Sequence, residues 1–280
     1  MFFFILLFYA KSFRPVYRLQ DNQSLFSPAV DDNGRNMRWN FHNDYFIVTY
    51  SDRLTYTRLG HCFSPSNAGM VSKEAITSDD FRMDVTFALN KDSKMRDGFA
   101  IWITKDKTYK NGECFGRDGK FTGVLIAIVT KSKVRKAPYI GVACGTDLKY
   151  DEYQEGMNIF KSPVALSESI FNKKNKMRIE NINGEMVVSL EEKKKFTEIF
   201  KIGNSGLGKD FYVGISSSNK AGNSDFNLFG VRFYNIEKQP IIKPVEEKAE
   251  RKGVSWLLWI VFILALVGIG YLVIPKQLRK

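Results

Sequence analysis

The 280-residue chain is poor in cysteine and histidine and lacks helical periodicity, and each scarcity excludes a class of protein. Three cysteines are too few for a disulfide framework, and an odd number leaves at least one thiol unpaired within the chain. The two histidines, His42 and His61, have no Cys, His or acidic group near them at metal-ligand spacing, which argues against a zinc site. Outside one C-terminal apolar run, no stretch keeps a 3.6-residue hydrophobic period, which argues against a helical domain.

Hydrophobic residues are abundant. They make up 44% of the chain, and 23 of them are phenylalanine, so the chain is not intrinsically disordered. The length suits one large domain or two small ones. The 42 basic and 30 acidic residues give a formal net charge of +12, which at first suggests a nucleic acid or an anionic membrane as partner.

The N-terminal segment, FFFILLFYA at positions 2–10, is uncharged and is followed by Lys11. It is too short to span a bilayer but matches the apolar core of a secretory signal. We therefore predict a signal peptide at residues 1–10, with a buried N-terminal strand as the alternative.

The C-terminal segment from Val254 to Ile274 holds 21 residues without a charge. As a helix it would be about 31 Å long, which matches a bilayer's hydrocarbon core. We predict a transmembrane helix at 254–274, preceded by a charged, proline-containing stalk at 239–253; a core helix of a soluble protein is the alternative. The basic residues of the tail, 275–280, predict that the tail is cytosolic and that the N-terminal domain is lumenal.

This topology changes the meaning of the net charge. The tail carries three basic residues, which leaves 39 bases and 30 acids, or +9, in residues 11–253. A domain that faces the secretory lumen does not meet nucleic acid, so acidic proteins and anionic glycans are the better candidate partners.

Period-2 runs separated by Gly, Asn, Asp and Ser fill the lumenal segment. Asn183-Gly184, inside MRIENINGEMVVSL, is typical of a type I′ hairpin turn. The pattern predicts an all-β fold, an antiparallel sandwich, with long insertions such as Lys105–Thr122 at sheet edges or ends. The predicted strands are Tyr45–Tyr50, Phe81–Leu89, Gly98–Thr104, Gly123–Thr130, Tyr139–Cys144, Lys176–Glu180, Met186–Leu190, Phe196–Lys201, Phe211–Ser216 and Phe226–Tyr234.

Several motifs occur together in a fixed order. FRMDVTF begins at Phe81, DGFAIW at Asp97, CFG at Cys114 and TGV at Thr122; Tyr150-Asp151 and FYVGIS at Phe211 follow. In this order the chain resembles the L-type (legume-lectin-like) cargo lectins of the early secretory pathway, from about Ser24 to Lys238. The resemblance implies a jelly-roll sandwich with a concave sheet, and we assign residues 11–238 to this lumenal lectin-like domain.

The resemblance also implies a sugar site that depends on calcium. Ser66 and Asp97 match sugar-binding positions, and Gly222 matches one glycine of a Gly-Gly loop. The metal positions do not match, because Val129, Lys131, Lys133 and Glu155 stand where the family places an aspartate, a backbone ligand, an asparagine and a second aspartate. Glu152 stands at a histidine position.

One carboxylate beside several lysines does not neutralise a divalent cation. We therefore predict no cofactor, with the family's calcium site lost. We expect Lys131 or Lys133 to pair with Glu155 in place of the ion, with a merely solvated loop as the alternative.

These expectations lead to one main functional hypothesis and one alternative. The main hypothesis is a type I cargo receptor in ER–Golgi transport, located in ER, intermediate or Golgi membranes, that binds secretory cargo proteins or glycans and can form an oligomer. The alternative is a surface or structural protein whose basic loop, 131–136, binds anionic glycans or acidic proteins. Because the E-x-D-x-x-E pattern of sandwich glycosidases is absent, we do not expect an enzyme.

Overall fold

The computed structural model describes residues 13–27, 29–31, 33–51, 54–60, 66–90, 97–219, 226–240 and 256–273. Short 3₁₀ turns lie at Asp21–Gln23 and Glu168–Ile170. The helix α1 spans Trp256–Val273. The strands are β1 (Phe13–Leu19), β2 (Trp39–Asn43), β3 (Tyr45–Ser51), β4 (Leu54–Leu59), β5 (Ser66–Ser72), β6 (Phe81–Leu89), β7 (Asp97–Thr104), β8 (Asn111–Cys114), β9 (Lys120–Lys131), β10 (Tyr139–Lys149), β11 (Lys161–Ala165), β12 (Lys174–Ile182), β13 (Glu185–Glu192), β14 (Lys195–Ile202), β15 (Tyr212–Asn219) and β16 (Phe226–Pro240).

Two antiparallel sheets form the sandwich, so the predicted all-β fold is confirmed. The back sheet has the order β14-β13-β12-β6-β16-β4-β3, with β1 paired to β16. The front sheet has the order β11-β10-β9-β7-β15-β5-β2. Strands that are distant in sequence become neighbours, as when β7 lies between β9 and β15, and this brings separate loops to the same sheet end.

Alternating side chains build the core between the sheets. In β6, Phe81, Met83, Val85 and Phe87 are buried, whereas the residues between them are only partly covered. In β7, Phe99, Ile101 and Ile103 are fully buried in the same core. The period-2 pattern that predicted these strands therefore corresponds to one face turned toward the opposite sheet.

The backbone contains one turn that the sequence predicts and one strand that it does not predict. The turn at Asn183-Gly184 is confirmed, since both residues have positive φ angles, 55° and 76°, between β12 and β13. Strand β5, with the sequence SNAGMVS, was not predicted because its small polar residues are typical of a loop. Gly69 in this strand is required by packing, because an added Cβ would lie 2.1 Å from the Tyr109 ring.

The sequence prediction placed the insertion Lys105–Thr122 at a sheet edge or end, and the segment begins directly beyond the end of β7 at Thr104. It carries β8, and Cys114, Phe115 and Phe121 from this segment join a second hydrophobic cluster with Trp102 of the front sheet. Most of the front-sheet residues in this cluster belong to the face opposite the main core. The insertion folds over that outer face because its own apolar residues need to be covered.

Cys144 is expected to react slowly with thiol reagents. Burial raises the pKa of this thiol, against the opposing effect of Lys161, and the Sγ donates to the Ser205 carbonyl at 3.1 Å. Cys114 is fully buried. In a Cys62→Ser background at pH 8, a chromogenic disulfide reagent should label both remaining thiols at least tenfold more slowly in native than in denatured protein. Fast native labelling would contradict the burial of Cys144.

The chain divides into two units. One comprises Pro15–Lys238, and the other comprises Met1–Arg14 with Gln239–Lys280. Within the described residues, no helix has both the length and the apolar character needed to cross a membrane. The predicted span 254–274 extends beyond α1 and stays a prediction, and the predicted signal peptide, 1–10, and tail, 275–280, lie outside the described residues.

Candidate functional site

Predicted sugar-binding residues meet in one register row at one end of the front sheet. Ser66 of β5 pairs with Asn219 of β15, and Asn219 pairs with Asp97 of β7. Asp97 in turn pairs with Lys131 at the end of β9. With strands about 4.8 Å apart, this row places Ser66 and Asp97 about 10 Å from each other.

A polar cavity of about 630 Å³ opens beside this row. We call it the amide pocket, because four of its seven lining residues are asparagines. They come from the end of β2, the start of β5, β8 and the end of β15. The lining residues are Asn43, Asp44, Ser66, Asn67, Asn111, Glu113 and Asn219.

Local hydrogen bonds fix the geometry of the amide pocket. The Asn43 side-chain amide donates to the side-chain Oδ1 of Asn111 at 2.6 Å, which ties β2 to β8. The Asp44 amide donates to the Asn67 carbonyl at 3.2 Å, and the Gly60 amide donates to the Asp44 carbonyl at 2.8 Å. Asn43 adopts a positive φ of 63°, a conformation that asparagine tolerates better than most residues.

Two stacked rings belong to residues that lie close in sequence to residues of the amide pocket. His42 and Tyr109 are parallel within 5°, with centroids 4.7 Å apart, and the Tyr109 hydroxyl donates to the Gly116 carbonyl at 2.8 Å. Burial lowers the pKa of His42, and Arg117 adds to this effect, so the imidazole is neutral at pH 7. Burial also raises the pKa of Tyr109. The pair is therefore an uncharged support between β2 and the insertion.

The structure places the sequence-predicted site residues in two groups and leaves others apart. Ser66 lines the amide pocket, and Asp97 lies in the same register row as Ser66. The side chain of Asp97 and the whole of Gly222 are outside the described residues. Lys133 and Glu155 contact each other near the end of β9. Glu152 is exposed in the turn segment between β10 and β11.

Sequence reasoning missed most of the amide pocket. Asn43, Asn67 and Asn111 lie far apart in sequence and match no motif. The available indication was an asparagine at or beside a strand end, but asparagine is also common in ordinary turns. Only the sheet order shows that these strand ends meet.

The residues at the calcium positions do not fit a calcium ion. Val129 is a buried apolar residue, 3% exposed, and Lys131 and Lys133 are exposed bases. Glu155 is the one carboxylate of the set. Calcium needs six to eight oxygen ligands with compensating negative charge, and this set cannot supply them.

Glu155 is held by the backbone. Its Oε1 accepts from the Lys133 main-chain amide at 3.0 Å, and Glu155 itself has a positive φ of 49°. The predicted partner was a lysine ammonium, whereas this contact uses the peptide N–H of Lys133. Nearby, burial raises the pKa of Tyr139 to about 12. The carboxylate thus connects the loop after β9 to the turn that follows β10.

Comparisons with known proteins agree on the fold. The legume-like lectin family model matches residues 17–241. The mannose- and calcium-bound exoplasmic/lumenal domain of VIP36 is 19% identical and has a TM-score of 0.69, over 80% of this chain and 98% of that chain. A legume lectin-like domain from Entamoeba histolytica is 18% identical with a TM-score of 0.63, over 78% and 99%.

A third structure, the carbohydrate recognition domain of Emp47p, is 12% identical with a TM-score of 0.62, over 78% of this chain and 97% of that chain. At such identities these structural matches establish the fold alone. No curated protein sequence matches the chain.

Proposed function

The chain belongs to the legume-like lectin family, and we propose that it is a lectin whose amide pocket binds a neutral glycan without calcium. The observation that carries this proposal is the row Ser66–Asn219–Asp97 beside a cavity lined by asparagines. Each amide side chain offers both donors and an acceptor, which suits the paired hydroxyl groups of a sugar. The VIP36 domain was solved with mannose, so mannose-type glycans are the first candidates.

Independence from calcium is part of the proposal. Val129, Lys131 and Lys133 supply no carboxylate, and the Glu155 carboxylate already accepts a main-chain hydrogen bond. Without a metal to orient one asparagine, the amides must be oriented by the protein itself. The hydrogen bond between Asn43 and Asn111 is such an orienting contact.

We further propose that the protein is a single-pass type I cargo receptor of the ER and Golgi that binds and does not catalyse. The support comes from the apolar segments at 2–10 and 254–274, and from the family, whose fold is lectin-like. The structural relative VIP36 is described as an exoplasmic/lumenal domain. In this topology the lectin-like domain would face the lumen, where secretory glycoproteins are its candidate partners.

A glycan array with the full-length protein, run with calcium and with a chelator, tests the lectin proposal. We expect mannose-type glycans to bind equally under both conditions. Asn67→Ala removes one pocket amide and should weaken binding at least tenfold, about the effect of losing a hydrogen bond while a buried polar group is left unpaired. Affinity is measured by titration with the best glycan from the array.

Asn33→Ala is the matched control, because this exposed asparagine does not line the pocket. It should leave affinity unchanged. Binding that requires calcium would contradict the proposed metal independence. Binding only to anionic glycans, with affinity that falls steeply as salt rises, would instead favour the basic loop 131–136.

A further inference from the structure

A second cavity, of about 690 Å³, lies at the end of the front sheet opposite the amide pocket. It lies beyond the end of β7 at Thr104 and beside the start of β9 at Lys120. The amide pocket instead lies near Asp97, at the start of β7. Eight residues of strand separate these two levels, a distance of about 25 Å. We call this cavity the basic pocket.

Arg117 forms an inner wall of the basic pocket and is only 4% exposed. Its guanidinium carbon lies 5.0 Å from the Trp102 ring centroid, in a cation–π contact. Gly214 makes room for it, because an added Cβ there would lie 3.2 Å from Nη1. The guanidinium is therefore held in a fixed place on the outer face of the sheet.

Among the residues that the structure describes, no carboxylate forms a salt bridge with Arg117. Its Nη2 donates to the Thr104 hydroxyl at 3.3 Å and to the Asp106 main-chain carbonyl at 3.2 Å, both of them neutral acceptors. Within the described part of the chain, Nη1 has no hydrogen-bond partner. Burial lowers the pKa of Arg117, and nearby groups, Asp106 first among them, oppose this effect. Arginine nevertheless remains charged at neutral pH.

Four lysines surround the same cavity. Three aspartates are also present, so the four lysines together with Arg117 leave a net charge of +2 for the pocket. One of them, Asp118, already accepts from the Lys120 amide at 3.2 Å. The lysines are Lys105, Lys107, Lys110 and Lys120.

An unpaired buried charge is costly, and burial has already removed its water. Because Arg117 is already desolvated in the folded protein, an anion in the pocket would be attracted to it without any further desolvation of Arg117. Nη1 is shielded from solvent, so the guanidinium acts through its field, which is strong at low dielectric. The exposed lysine ammonium groups supply the direct contacts.

From this arrangement we propose that the basic pocket binds a phosphate or sulfate group, either free or carried as an ester on a sugar. The site is separate from the amide pocket and does not depend on glycan binding there. The cavity volume accommodates an ester on one or two sugar rings. Packing alone explains the contact of Arg117 with Trp102 but not the choice of a charged group surrounded by further cations.

Titration of the full-length protein with inorganic phosphate, a hexose 6-phosphate and a hexose 6-sulfate tests the proposal, with the unsubstituted hexose as blank. Ionic strength is held constant with sodium chloride. The anions should bind and the neutral hexose should not. Arg117→Met keeps the packing on Trp102 but removes the charge, and it should weaken anion affinity at least fivefold. Equal affinities for free and esterified phosphate would identify the anion itself as the ligand.

Lys195→Met is the matched control, since this exposed base lies on β14 of the back sheet, outside both the pocket and the 131–136 loop. It should change affinity less than twofold, and Asn67→Ala in the amide pocket should not change it. Unchanged anion affinity in Arg117→Met, or an equal loss in Lys195→Met, would overturn the proposal. Should Arg117→Met fail to fold, the double variant Lys107→Met/Lys120→Met must show the fivefold loss, and unchanged affinity there would overturn it equally.

Discussion

Replacing Phe99 by alanine is expected to lower the free energy of unfolding by about 3–5 kcal/mol. Phe99 is fully buried in β7 of the front sheet. Its ring stacks on Phe226 at 4.1 Å between centroids and contacts Phe87 at 4.7 Å, and both of these residues belong to the back sheet. The variant would leave a cavity where the two sheets meet, and neighbouring strands cannot move enough to close it.

Chemical denaturation of the full-length protein, followed by far-UV circular dichroism, measures this loss. Met37→Ala is a suitable control, since Met37 is 76% exposed and should change stability by no more than about 0.5 kcal/mol. A loss below about 1 kcal/mol in Phe99→Ala would show that the sheets do not pack through this aromatic cluster.

Replacing Asp84 by alanine is expected to cost about 2–3 kcal/mol. On the outer face of the back sheet, its carboxylate accepts from Arg82 Nη2 at 2.7 Å and from Arg178 Nε at 2.8 Å. Arg178 is its direct cross-strand neighbour on β12. The three side chains are 16–21% exposed, so removing the acid leaves two mostly buried arginines without the carboxylate that binds both of them. Contact with solvent reduces the penalty.

The exposed pair Arg18–Glu237 provides the comparison for this prediction. Its N–O distance is 3.0 Å, but the side chains are 61% and 44% exposed. Glu237→Ala should therefore have an effect within about 0.5 kcal/mol. The urea midpoints of both variants, compared with that of the unmodified protein, measure the two losses of stability. Equal effects would mean that the Asp84 cluster is no more than an ordinary surface ion pair.

The predicted loss of the family's metal site rests on residue type, whereas the local contacts around it depend on the backbone. Lys131, Lys133 and Val129 are readable as non-ligands because ligand chemistry depends on residue type. That Glu155 contacts a main-chain amide could not be read, because every residue carries the same N–H and only the backbone path selects which one is near. The lysine ammonium expected as the partner is a different group on the same residue.

The amide pocket and the basic pocket show the same limit. Asn43, Asn67 and Asn111 become neighbours because β2, β5 and β8 end at one place. The sequence does not single out Arg117, since a single arginine after a glycine is normally solvated. Its role depends on its burial against Trp102, where its printed hydrogen bonds go to neutral acceptors.

By itself the sequence determined the all-β class, the Asn183-Gly184 turn and the lectin-like family, because alternation, turn chemistry and motif order are properties of neighbouring residues. From residue type it also predicts the loss of the family's calcium site, which stays a prediction. The tertiary structure alone decided that the insertion at 105–122 covers the outer face of the front sheet, that scattered asparagines form one pocket, and that Arg117 is buried against Trp102. These depend on strand order and burial, which are set by the packing of the whole chain rather than by any local pattern.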